Sequence, residues 1–81
     1  MKTLNTYKPQ IAAISAANGN VDIGVATDMF LANIRNAGNP DLPHYHGAEV
    51  DYAALKDDLG ALVDSKAAFL EGWGRELGYR K

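Results

Sequence analysis

The sequence predicts an all-α fold, a small three-helix domain in which two short helices pack on one long C-terminal helix. Three observations lead there. Apolar residues recur at heptad spacing from Asp51 to Tyr79, the turn-forming stretches 18–20 and 38–50 separate three periodic segments, and the one alternating run, Val21-Ile23-Val25, has no partner strand elsewhere. At 81 residues the chain is one domain, 1–81, near the lower end of what folds without a staple. A domain of this size without disulfides often gains stability by association, so a homo-oligomer or a stable complex with a larger protein partner is expected.

Taken in order, Met1 to Thr6 is polar and reads as frayed or extended, with Leu4 as an anchor. The first helix is expected over about 7–18. Pro9 fits only its first turn, Tyr7, Ile11 and Ile14 form its apolar stripe, and Asn18-Gly19-Asn20 ends it. The second is expected over about 22–37, capped by Asp22 or, if it starts later, by Thr27, with Gly38 just beyond its end. Met29, Phe30, Leu31 and Ile34 cover so much of its circumference that it should be the most buried element, with Arg35 at its wet edge. A loop follows over 38–50, where Pro40, Pro43 and two glycines preclude regular helix. Loops of that length are often functional.

The third helix is expected over about 51–77, with Asp51 as its N-cap and Gly78 as its C-cap, the latter returning Tyr79 toward Trp73. With Tyr52 at heptad position a, residues Tyr52, Leu55, Leu59, Leu62, Phe69 and Trp73 fall on a and d, and Val63, Leu70 and Leu77 on e. Lys66 interrupts the a positions, which argues against a continuous coiled-coil seam; its alkyl stem can cover apolar surface while the ammonium reaches water. About 27 residues at the helical rise span about 40 Å. That is longer than the core this chain can build, so part of the helix is expected to pack on something else. The other side of the helix is nearly all small: Ala53, Ala54, Gly60, Ala61, Ala67, Ala68 and Gly74 lie at b and c, with Asp57, Asp64 and Glu71 at f between them. Such a strip admits another backbone or a basic side chain at close range, or it is an Ala-rich solvated face. Glycine inside a helix costs about 1 kcal/mol relative to alanine, so Gly60, Gly72 and Gly74 call for a reason.

Composition excludes several functions. There is no cysteine, which removes disulfides, thiolate nucleophiles and cysteine-bound zinc. Apolar residues make up 47% and charged residues 22%, the balance of a globular chain. No run is long enough to cross a membrane and no signal-peptide pattern opens the chain, so a soluble cytoplasmic protein is expected. The net charge of −2 is unevenly spread, with six acids against Lys56 over 41–64 and four bases against two acids over 65–81. Neither a generic polyanion binder nor an acidic DNA mimic is indicated.

His44 and His46 flank Tyr45 in an extended segment, so both imidazoles could face one metal with Asp41, Glu49 or Asp51 as a third ligand. A polar surface loop anchored by Tyr45 accounts for the same residues, and no metal or other cofactor is assigned. No Gly-x-Ser-x-Gly, phosphate loop or His-Glu-x-x-His occurs, and Asp57 and Asp58 diverge on a helix, so an enzyme is not expected. Phe69, Trp73 and Tyr79, with Arg75 and Arg80 nearby, form either a binding hot spot or ordinary core with a capped helix end. The run Ala16-Ala17-Asn18-Gly19-Asn20-Val21 resembles the turn of helix-turn-helix domains of the Fis type, which implies nucleic-acid binding. The resemblance covers six residues, and the helix after it offers Asp22, Asp28 and Asn33 with Arg35 its one base, where phosphate contacts need several.

The sequence therefore leads to a non-catalytic interaction module that binds and regulates or inhibits a larger partner, with Asp57, Asp64, Glu71, Trp73 and Arg75 as its contact residues. In size and composition it resembles small accessory proteins of phages and mobile elements. A helix-turn-helix nucleic-acid binder and a structural component of a larger assembly are the alternatives.

Overall fold

Residues 3–76 are described by a computed structural model, with side chains through Trp73. They are mostly helical, and no strand occurs among them. Thr3 is extended, as expected, but from Leu4 on the N-terminal stretch is helical. A 3-10 turn over Leu4–Tyr7 leads straight into helix α1, Lys8–Ala17, because Leu4 is fully buried and its amide donates to Ser65 Oγ at 3.4 Å. Pro9 sits in the first turn of α1, where its missing N–H has no helical partner to lose. Asn18 closes α1, and Gly19 and Asn20 turn the chain at φ of +85° and +58°.

Helix α2 runs Ile23–Asn36. Asp22 caps it through a 2.8 Å hydrogen bond accepted from the Gly24 amide, which settles the start in favour of Asp22. Thr27 lies inside the helix, fully buried, and donates to the Ile23 carbonyl at 2.7 Å. The Val21–Val25 alternation is thus a turn running into a helix. Phe30 is fully buried, and the rings of Tyr7 and Tyr52 both pack against it, at centroid distances of 5.2 and 5.7 Å.

The C-terminal segment departs from the expected single helix over 51–77. It begins as a 3-10 helix, Tyr52–Asp58, continues as α3, Leu59–Asp64, breaks at Ser65, and resumes as α4, Lys66–Glu76. Two local causes are visible. Asp51 accepts from the Ala54 amide with both its side chain and its main-chain carbonyl, which favours tight i to i+3 turns at the start. At the break, Ser65 Oγ donates to the Leu62 carbonyl at 2.8 Å, a side-chain bond that competes with the helical ladder and bends it. The heptad reading of the inner face survives the break: Leu55, Leu62, Phe69 and Trp73 are all buried, Tyr52, Leu59 and Lys66 half-buried. Val63, expected on the apolar face, is 41% exposed. The bent segment packs against α2 through all three of its pieces, so that the described residues of the apolar stripe other than Val63 are buried or half-buried. The expected cap at Gly78 and Tyr79, like Leu77 and Arg80, lies outside the described residues.

Candidate interaction surface

Loop 38–50, expected to be functional, is first of all a strap tied to the α1–α2 hairpin by three asparagine side chains. Asn36 Nδ2 donates to the Pro43 carbonyl at 3.0 Å. Asn33, fully buried, donates to the Tyr45 carbonyl at 3.0 Å and accepts from the Tyr45 amide at 2.7 Å, replacing the neighbouring strand that this extended segment lacks. Asn18 Nδ2 donates both to Ile14 O at 2.8 Å and to His46 O at 3.0 Å. Past these ties Gly47, at φ +125°, lies flat on α1, where a β-carbon would come within 2.6 Å of the Ala13 carbonyl oxygen. Asn33 is therefore a buried clamp.

The two histidines stand on the strap with exposed side chains, and His44 Nδ1 bonds the Leu42 carbonyl at 3.0 Å. Among the described residues no three His, Cys, Asp or Glu side chains gather closely enough to hold a metal ion. The hydroxyls of Ser15 and Ser65 are both committed to the fold: Ser15 Oγ donates to the Val21 carbonyl at 2.5 Å and Ser65 Oγ to that of Leu62. On α2 the exposed positions are Val25, Asp28 and Arg35, with the exposed cap Asp22 before them, and Asp28 forms an ion pair with Lys66. The ammonium of Lys66 thus ends on a carboxylate rather than in water alone. Beside the Gly19 turn, a groove of about 330 Å³ is lined by Ala12, Ala16, Val21, Asp22 and Trp73 among others.

The expected contact residues divide. Trp73 is 8% exposed and meets Phe69 edge-on at a centroid distance of 5.1 Å, which makes it part of the core. The side chain of Arg75 lies outside those described. Asp57, Asp64 and Glu71 are exposed, as are Ala53, Ala54, Gly60, Ala67, Ala68 and Gly72, while Ala61 is half-buried. A β-carbon built at Gly60 or Gly72 would meet no atom within 4 Å. The bend at Ser65 therefore leaves the small, acidic strip facing outward along the C-terminal third.

Sequence pattern alone missed the asparagine clamps and the Gly47 contact. The available signal was a polar Asn33 on the apolar arc of α2, three residues from Asn36 and so on the same face.

These features define a small all-α domain with an outward acidic strip. No protein-family model matches the chain, and no curated protein or solved structure is significantly similar to it.

Proposed function

We propose that this chain is a non-catalytic protein-interaction module, and that it binds and regulates a larger partner through the outward strip of its C-terminal third. The observation that carries the reading is the pair of helical glycines, Gly60 and Gly72. Each lowers helix stability by about 1 kcal/mol relative to alanine, yet neither has a positive φ and, among the described residues, neither needs the space that a β-carbon would take. A surface that must admit a closely approaching chain explains them. Exposed alanines extend the strip on both sides, and Asp57, Asp64 and Glu71 give it a negative ridge.

The ridge also selects the kind of partner. A symmetric pairing of two copies through this strip would bring like carboxylates together, which is unfavourable, so a basic segment of a different protein suits it better. The test is capture from a lysate of the source cells, with nuclease present, by the native chain and by a variant carrying Asp57→Lys, Asp64→Lys and Glu71→Lys. A protein retained by the native chain and lost by the folded variant supports the proposal. Equal retention by both removes the strip from the interaction, and recovery of nucleic acid in place of protein when nuclease is omitted favours the helix-turn-helix reading.

A further inference from the structure

Asn18 precedes a glycine; the other asparagines precede Thr6, Val21, Ile34, Ala37 and Pro40. A glycine N–H is the least hindered main-chain nucleophile toward a preceding side-chain amide, and Gly19 has open space around it, with no atom within 4 Å of where a β-carbon would sit. The same Asn18 is the residue whose amide ties the strap to α1, through Ile14 O and His46 O. We infer that Asn18 is a site of spontaneous deamidation, and that its conversion unlatches the His46–Gly47 end of the strap irreversibly.

In the reaction Gly19 N attacks Asn18 Cγ. The N–Cγ bond forms as the Gly19 proton passes to a solvent base, and the Cγ–Nδ2 bond breaks as Nδ2 takes up a proton from solvent and leaves as ammonia. Water then opens the cyclic imide at either carbonyl, giving aspartate or isoaspartate. Water is consumed, ammonia is released, and nothing is oxidised or reduced. With the strap docked, the Asn18 amide is held by two carbonyls and cannot swing onto Gly19 N, so ring closure waits for the strap to lift. Once formed, the carboxylate cannot donate to either carbonyl and sets negative charge against both. The Asn33 and Asn36 ties do not involve the reacting amide, so the release is local to the end of the strap that rests on α1.

The full chain is aged at mildly alkaline pH and mapped by peptide mass spectrometry, beside an Asn33→Ala variant with a loosened strap. Conversion concentrated at Asn18, and several-fold faster in the variant, is the expected result. Conversion at Asn18 no greater than at the other asparagines, or a rate indifferent to Asn33→Ala, overturns the inference. Amide NMR on an Asn18→Asp variant supplies the second readout. The His46 and Gly47 resonances should move toward random-coil positions while those of Phe30 and Ile34 keep their native shifts. Unchanged resonances at 46–47, or shifts at all these amides together, contradict local release.

Discussion

The Asn33 side chain satisfies both main-chain polar groups of Tyr45, donating to its carbonyl at 3.0 Å and accepting from its amide at 2.7 Å. One buried amide thereby anchors a loop that has no strand partner. Asn33→Ala leaves the part-buried Tyr45 groups without this partner and is expected to destabilise the domain by about 1–3 kcal/mol. Chemical denaturation at constant m-value measures it, and a loss under about 0.5 kcal/mol would show that water replaces the clamp at little cost.

Glycines in this chain fall into two kinds with opposite expected signs. Gly47→Ala places a β-carbon 2.6 Å from the Ala13 carbonyl oxygen at a φ of +125°, so both contact and backbone oppose it. A loss of at least about 2 kcal/mol is expected. Gly60→Ala and Gly72→Ala meet open space in helical backbone and should each stabilise by about 0.5–1 kcal/mol. Thermal melts of the three variants compare them directly.

Asp22→Ala removes the side-chain acceptor of the Gly24 amide and should cost about 1 kcal/mol. Asp22→Asn, which keeps an acceptor at the cap, should recover most of that loss. Equal loss in both variants would assign the effect to charge instead of capping.

The ion pair between Lys66 and Asp28 joins α4 to α2 at the surface, with the two side chains 32% and 63% exposed. Pairs this wet contribute little, so Lys66→Met, which keeps the alkyl stem, should change stability by less than about 1 kcal/mol. A larger loss that disappears at high salt would show the pair to be stronger than its exposure implies.

Much of the fold was legible because apolar periodicity reports the buried face whatever the exact helix type. The a and d residues Leu55, Leu62, Phe69 and Trp73 are buried even though the helix breaks between Leu62 and Phe69. The break itself was not legible. It depends on Ser65 Oγ turning onto the Leu62 carbonyl, and on Leu4, sixty-one positions away, bonding the same hydroxyl. Periodicity also could not place Asn33, since a polar residue on an apolar arc declares a buried partner without naming it, and that partner is main chain twelve positions on. For the strip, sequence spacing indicated which residues share a side, and the structure adds that a β-carbon at Gly60 or Gly72 would touch none of the described residues packed around it. In the N-terminal segment Leu4 was legible as an anchor, but the 3-10 turn that its burial holds together was not, because the residues around it are polar.

The central claim is that the strip keeps its glycines for a partner at the expense of stability. The most direct test measures affinity and stability together in a Gly60→Ala, Gly72→Ala double variant, against the protein recovered in the charge-sensitive capture. The account predicts a higher melting temperature with binding weakened several-fold. A variant that is more stable and binds as tightly as the native chain would contradict it, and the glycines would then be ordinary features of a solvated helix face.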